Sequence, residues 1–431
     1  MAQRSLAQWL QWQAQLNPKT MELGLDRVGR VYKTLGRPRP ARQVVSIAGT
    51  NGKGSSGAML ESICQAAGWQ TGLYSSPHLL RYNERIRLNR EPVSDLALCA
   101  VFERIDQARQ GELLTYFEFG TLAALLLMAD QPLDIAILEV GLGGRLDAVN
   151  LVDADIALVT SIGLDHCDWL GPDRDSIARE KMGIARTGRP LVCNDPEPPE
   201  TLLTTANNVG VQLCRTGLDY QFSIEGQHWL WGGEAFGFTP PLPLPNLQGK
   251  HQVANAAGVL AVLALLGDGL PAPAVLAQGL QQIELSGRLE RVSGPCEILL
   301  DVGHNPDAGA VIAVGLVDQP VKGRTLALFG ALSDKDCAGI LAPLNELVDD
   351  WHLLDTRSLE PARGADMSSA YSYLTAAGAG SAQQHVELAE VWRNLMAEVV
   401  AEDRIIVFGC FALVAEIMLL LGGHEQAPPG V

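Results

Sequence analysis

The sequence predicts a two-domain α/β protein, and three observations carry that prediction. A chain of 431 residues is longer than one ordinary hydrophobic core supports. From residue 43 onward, short apolar runs alternate with longer segments of helical spacing, the pattern of a parallel sheet covered by helices. The alternation is interrupted at 220–247 and resumes after residue 291, so it is written twice. Hydrophobic residues make up 47% and charged residues 19%, enough apolar surface to order the whole chain, and no low-complexity tract or fixed-period repeat intervenes.

Taken in order, residues 1–36 place Leu6, Trp9 and Leu10, then Leu25, Val28, Val31 and Leu35, at helical spacing with a break at Asn17 and Pro18. Two helices are therefore expected before the first strand. An apolar strand at 44–48 leads through a Gly-rich turn into a helix at 55–67 and a strand at 71–74. Further strands are expected at 135–138, 156–160 and 191–193, with a helix at 117–128 among the connections. Phe222, Trp229, Trp231, Phe236 and Phe238, running into a Pro-rich stretch, predict a small antiparallel sheet, followed by a buried helix at 253–266. The second series has strands at 298–300, 326–329, 352–354 and 405–408. The boundary is expected near 286–291, dividing the chain into 1–287 and a smaller Rossmann-like domain, 288–431.

The formal net charge of −17 argues against a nucleic-acid partner or an anionic membrane, either of which needs a basic face. Anionic small ligands would instead need a few cations gathered in one cleft. Eight cysteines are scattered without C-x-x-C spacing, as expected of buried, reduced thiols. The first residues lack the basic segment, apolar core and cleavage site of a signal peptide, so a cytoplasmic enzyme is expected.

The first chemical signal is Gly49-Thr50-Asn51-Gly52-Lys53-Gly54-Ser55, set between an apolar strand and a helix. There a Gly-rich turn lets backbone N–H groups surround phosphates at a helix N-terminus, and Lys53 supplies a cation. The spacing departs from G-x-x-x-x-G-K-[ST], and a flexible Gly/Asn turn is the alternative. Strand, glycines, lysine and helix in sequence favour nucleotide binding. The heptapeptide resembles the phosphate loop of the Mur ligase superfamily, in particular its folylpolyglutamate synthase branch. The resemblance implies an N-terminal Mur-ligase-type ATPase domain that carries the small antiparallel sheet.

In open α/β sheets ligands bind beyond the carboxyl ends of strands, where this chain has Ser76, Glu139 and His166. Singly they read as a Ser turn, a cap and a loop histidine. Together, at three strand ends beside the loop, they suggest an oxygen-rich magnesium site shared with ATP phosphates; a histidine is an unusual magnesium ligand, and it is the resemblance that places metal ligands at all three, His166 included. Lys181, in Arg-Glu-Lys-Met-Gly, would ordinarily be a solvated lysine. In the family the matching lysine is carbamylated and supports a second metal, so two Mg²⁺ sites are expected.

Other matches extend the ATP site. Asn255 is either a helix cap or the family's residue near the nucleotide. Arg288, in Ser-Gly-Arg-Leu-Glu, would reach the phosphates from the hinge. Asp301 and His304 match the D-x-x-H-N-P motif and would come over the nucleotide on domain closure. Lys335, after the strand at 326–329, is a further cleft candidate.

Family chemistry implies transfer of the ATP γ-phosphoryl group to a carboxylate, then attack by the amine of L-glutamate on the acyl phosphate. Cell-wall precursor ligases share this chemistry but carry a substantial domain before the loop, whereas only 48 residues precede Gly49 here. The segment Met21 to Val28, Leu113 to Phe119 and Arg145 to Asp147 resemble the bifunctional bacterial branch, which uses 7,8-dihydropteroate and reduced folates. That resemblance assigns substrate contacts to Leu23, Gly24, Thr115, Tyr116, Phe117, Glu118, Leu146, Asp147 and Ala148. A pterin would stack on Phe117 and bond its amino-pyrimidine edge to Asp147, although core packing also accounts for Phe117. Cys410 stands where the family commonly has Ser in a glutamate-binding loop, which weakens that loop's assignment. A folate-only polyglutamylase, another Mur-type amide ligase and a phosphate-loop switch NTPase are the alternatives. The two-domain site needs no second subunit, so a monomer is expected. The resemblance spans nearly the whole chain up to about residue 423.

Overall fold

The computed structural model describes residues 4–17, 22–267, 269–360 and 362–422; Pro18 and Met21, read above as a helix break and a motif residue, lie outside them. Two helices, Leu6–Leu16 and Asp26–Thr34, come first. The strands that follow are β1 (Gln43–Ala48), β2 (Thr71–Tyr74), β3 (Ile86–Leu88), β4 (Glu91–Pro92), β5 (Ile135–Glu139), β6 (Ile156–Val159), β7 (Pro190–Cys193) and β8 (Gln212–Arg215). They form one sheet ordered β4-β3-β2-β5-β1-β6-β7-β8, parallel from β2 to β8 with an antiparallel hairpin at the β4 edge. Alternate residues of β1 serve opposite faces. Val44 and Ala48 pack with the helices Leu6–Leu16, Asp95–Arg109 and Tyr116–Ala129, while Val45 and Ile47 pack with Lys53–Ala66 and Lys250–Leu265. Such two-sided burial gives the near-continuous apolar strands visible in the sequence.

The segment after β8 forms the small antiparallel sheet, β9 (Gln221–Glu225), β10 (His228–Gly233), β11 (Gly237–Phe238) and β12 (Leu242–Pro243). Trp229 and Trp231 of β10 are buried against Lys250–Leu265, and Trp231 Nε1 donates to Ala257 O (3.0 Å). The last sheet contains β13 (Glu290–Val292), β14 (Glu297–Asp301), β15 (Thr325–Phe329), β16 (Asp350–Leu354), β17 (Ser381–His385) and β18 (Arg404–Phe408), ordered β13-β14-β18-β15-β16-β17. Both faces are covered by helices: Leu326 and Leu328 face one core, Ala327 and Phe329 the other.

Register aligns the strand ends. Tyr74 lies beside Leu138, Ile47 beside Glu139 and Ala48 beside Val159, so the loops after β2, β5, β1 and β6 leave one edge of the large sheet together. In the second sheet Asp301, Phe408 and Phe329 are level, which collects the loops after β14, β18 and β15.

Six cysteines are buried and Cys337 is half-buried, but Cys167, at the start of the one-turn helix Cys167–Leu170, is exposed, unlike the buried thiols expected throughout.

Candidate active site

The two sets of strand-end loops face each other across a cavity of about 400 Å³. It is lined by the whole segment from Gly49 to Ser55, by Ser76, Glu139, His166, Lys181 and Asn255, and, from the second domain, by Arg288, Asp301 and His304.

At its base, β1 turns at Gly52, whose φ of +85° is available to glycine at little strain, and the helix Lys53–Ala66 begins. A Cβ on Gly52 would come within 2.5 Å of Asn255 Oδ1, and one on Gly49 within 1.8 Å of Thr160 Oγ1, so both glycines are also required by close approach. Thr50 Oγ1 donates to Gly163 O and accepts from Gly163 N (both 3.0 Å), tying the loop to the segment after β6. Lys53 Nζ folds back onto Gly49 O (2.9 Å) and Thr50 O (3.2 Å). Burial lowers its pKa, and the carboxylates of Glu139 and Asp165 oppose that shift.

Glu139, the last residue of β5, is buried and accepts from Ser76 N at its Oε2 (3.2 Å). Burial raises its carboxyl's pKa against the charges of Lys53 and Arg288. His166, with φ +52°, precedes Cys167–Leu170; burial depresses its imidazole to about 4, so it is neutral at physiological pH. Its ring nitrogens lie 4.0 Å from Asp165 and 3.9 Å from Asp334. Among the described residues no group of three His, Cys, Asp or Glu side chains is gathered tightly enough to hold a metal unaided. A hydroxyl, one carboxylate and a neutral imidazole around the phosphate loop do fit a divalent ion that takes further oxygens from a bound nucleotide.

Lys181 ends the helix Arg174–Lys181 and is 3% exposed, so it is not the solvated surface lysine that composition alone would suggest. Burial, reinforced by Lys53, depresses its amine to about 7. A neutral amine, the form that reacts with CO₂, is therefore abundant at physiological pH. Asn255 does not cap its helix, which starts at Lys250; it is buried, donates to Gln252 Oε1 (3.0 Å), and turns its Oδ1 toward Gly52.

The second domain closes the cavity. Arg288 lies between Gly287 (φ +71°) and Leu289 (φ +45°). That unusual backbone is held by Asp301, whose Oδ2 accepts Leu289 N (2.8 Å) while Oδ1 accepts Gly303 N (2.6 Å). The Arg288 guanidinium sits 5.7 Å from the centre of the Phe411 ring. His304 Nδ1 bonds to Val302 O (2.8 Å), which leaves Nε2 facing Asp165 at 3.5 Å. Among the described residues, neither Lys53 nor Arg288 has a carboxylate within ion-pair distance.

The nine residues assigned to a pterin substrate form a second group, none of them lining this cavity. Gly24 N donates to Leu146 O (3.2 Å). Thr115 caps the helix Tyr116–Ala129, its hydroxyl accepting Glu118 N while Glu118 Oε2 accepts Thr115 N (2.7 Å) and pairs with Arg27 (2.9 Å). Asp147 caps the single turn Ala148–Leu151, accepting Leu142 N and Val149 N (both 2.9 Å), and burial raises its carboxyl to about 6. Phe117 is half-buried, 6.0 Å from Tyr74 ring to ring. Gly141 separates the two groups: it lines the cavity, and a Cβ there would meet Phe117 at 2.6 Å and Asp147 at 3.3 Å.

Comparison with known proteins agrees with this layout. Residues 47–263 match the Mur ligase middle domain and residues 287–411 the Mur ligase glutamate ligase domain. The dihydrofolate synthase/folylpolyglutamate synthase of Escherichia coli (strain K12) is 43% identical over 421 residues, spanning 98% of this chain and 96% of its own. The chain belongs to the dihydrofolate synthase/folylpolyglutamate synthase family of Mur ligases. An Escherichia coli FolC structure in complex with DHPP and ADP is 42% identical and superposes with a TM-score of 0.91, covering 97% of this chain and 98% of that one. A bifunctional folylpolyglutamate synthase/dihydrofolate synthase structure with Mn, AMPPNP and L-glutamate bound is 43% identical, with a TM-score of 0.89 and coverage of 98% and 99%.

In this dihydrofolate synthase/folylpolyglutamate synthase family member, several cavity residues were not singled out by motif reading. Asp165 is the chief one. Its carboxylate meets Lys335 Nζ (2.6 Å), His304 Nε2 (3.5 Å) and Asn305 Nδ2 (3.1 Å), all from the second domain. Burial alone would raise its pKa, but the His304 contact and the charges of His166 and Lys335 hold it well below the carboxylate range. Asn305 and Asn51 exchange amide hydrogen bonds in both directions (3.0 Å each). Both Asp165 and Asn305 stand beside chosen histidines in the sequence, and adjacency to His166 and His304 was the available signal. Cys410 is buried with its thiol pushed up to about 11, and it is the next residue, Phe411, that lines the cavity.

Proposed function

We propose that this chain joins L-glutamate to 7,8-dihydropteroate, and to reduced folates, with ATP converted to ADP and phosphate through an acyl phosphate. The observation that supports it best is the pairing of Lys53 and Arg288: two half-buried cations from different domains, facing one cavity, with no carboxylate in ion-pair range among the described residues. Such cations suit a polyphosphate. In this reading the loop from Gly49 to Ser55 cradles the phosphates and Asn255 flanks the nucleotide. Arg288 arrives with the second domain, its backbone fixed by Asp301, and His304 closes over the transferring group. Ser76, Glu139 and His166 would hold one divalent ion, and a carbamate on Lys181 would support a second; bound there, the ions supply neutralisation of phosphate charge. The pterin would lie against Phe117 and Asp147, on the far side of Gly141. No nucleophile in the protein is required, because the chemistry is positioning plus charge stabilisation.

The same reading divides the chain into 1–287 and 288–431 and takes it as a cytoplasmic monomer. No helix among the described residues is long and apolar enough to cross a membrane. The test is mass spectrometry of the products formed with ATP, Mg²⁺, bicarbonate and L-glutamate. Addition of one glutamate to dihydropteroate and to a reduced folate is expected. Addition to the folate alone would remove the synthase step, and nucleotide hydrolysis indifferent to both acceptors would replace the ligase with a switch.

A further inference from the structure

The interdomain linker is fastened to a different body on each side of Leu285 and Ser286. Upstream, the first domain holds one backbone carbonyl after another. Asn246 donates from its backbone to Leu280 O and from its side chain to Ile283 O (both 3.0 Å). Arg90 donates to Gln282 O and pairs with Glu284 (3.1 Å), and Arg87 Nη1 reaches Glu284 O (3.4 Å). Downstream, the second domain does the holding: Val302 N donates to Gly287 O (3.0 Å), and Asp301 accepts Leu289 N.

Arg87 and Arg90 belong to the β3–β4 hairpin. Its two-residue turn, Asn89 and Arg90, has φ of +54° and +72°, the geometry that matches strand twist but strains a residue such as arginine. Asn89 Oδ1 accepts Thr71 N (2.8 Å), which locks the turn to β2. Arg87 also pairs with Glu61, whose side chain is 1% exposed in the helix that begins at Lys53. Glu61 Oε1 and Arg87 Nε have no hydrogen-bond partner among the described residues, so this buried pair is poorly arranged for stability alone. A continuous path thus runs from the phosphate-loop helix through Glu61 and Arg87 to the linker four residues before Arg288.

We infer that Arg87 and Arg90 are positioning residues: they fasten the linker to the phosphate-loop helix, place the pivot of domain closure at Leu285 and Ser286, and thereby set where Arg288 lands opposite Lys53. Neither touches the nucleotide cavity. The inference uses the ligase reading only for its turnover assay.

Two variants test it. Arg90→Ala removes contacts to Gln282 and to the exposed Glu284 without stranding a buried charge. Arg87→Lys keeps a cation beside Glu61 but cannot also reach Glu284 O. Both are expected to lower kcat on the order of tenfold, while the Kd for a nonhydrolysable ATP analogue stays within about twofold of the parent, since the phosphate loop is intact. A separate readout needs no carboxylate substrate. Spin labels on Leu96→Cys and Val386→Cys, both exposed, would be placed in a background with Cys167 and Cys337 changed to Ser, and dipolar distances measured with the analogue bound. The parent should give one narrow distribution, and Arg90→Ala should broaden it. An unchanged kcat per nucleotide-binding site, or an unbroadened distribution, overturns the assignment. Absence of turnover in the parent with every pterin would refute the ligase reading and leave the distance measurement to decide this one.

Discussion

Lys53 and Glu139 carry opposite charges into a site where burial disfavours both, and each shifts the other back toward its ionised form. In the proposed reading, Lys53 meets phosphate charge and Glu139 a divalent ion. Lys53→Ala and Glu139→Ala are each expected to lower ADP release on the order of a hundredfold to a thousandfold, with circular dichroism unchanged. Lys181 yields a prediction with a sign. Its amine falls from an ordinary 10.5 to about 7 on burial. The unfolded chain therefore holds the proton more tightly, and the resulting cost is complete below pH 7 and gone by about 10.5. In bicarbonate-free buffer Lys181→Met should raise the melting temperature near neutrality, with the gain shrinking as pH rises, while turnover is lost. A gain that grows with pH would contradict the assigned shift. Lys53 was legible in its Gly-rich turn between strand and helix, whereas Glu139, Arg288 and Asp301 were chosen because their surroundings resemble family motifs at strand ends and at the hinge. The four-way meeting at Asp165 was not legible, since it depends on two loops of the second domain, those after β14 and β15, arriving opposite the end of β6.

At the scale of elements, close approach constrains the phosphate loop at both Gly49 and Gly52. Gly52→Ala would place a Cβ against Asn255 in a left-handed backbone, costing about 1 kcal/mol or more, and would shift the donors at the start of the helix Lys53–Ala66. Thermal denaturation and nucleotide titration should both register it. The strands that build this edge were readable because both sheet faces are buried, as the apolar runs of β1 and β5 show. β13 and β17 were not. Both are edge strands, and the sequence of β17, Ser-Ala-Gln-Gln-His, is half solvated and carries no apolar alternation. The hairpin of β3 and β4 escaped notice for a similar reason, with strands of only three and two residues.

Across the whole molecule, polar contacts bridge the domains, the Asn51–Asn305 exchange and the Asp165 ion pair with Lys335, while Leu79 of the first domain packs against a core of the second. Asn305 also caps the helix Pro306–Asp318 through Ala308 N (3.0 Å). Asn305→Asp would keep the cap but replace a donor facing Asp165 with a second carboxylate. Its melting temperature should hold while kcat falls on the order of tenfold or more, and nucleotide affinity should stay within a few-fold. A parallel loss of stability would mean the cap, not closure, is its main role. In the proposed reaction the two domains meet to pass a phosphoryl group to a pterin-linked carboxylate before glutamate attacks. The most direct measurement uses dihydropteroate labelled with ¹⁸O in its carboxylate, incubated with ATP and L-glutamate. Phosphoryl transfer to the carboxylate predicts that one labelled oxygen leaves in inorganic phosphate for every amide formed. Product formed with no label in phosphate, or label-free phosphate released without product, would rule out an acyl phosphate on this carboxylate.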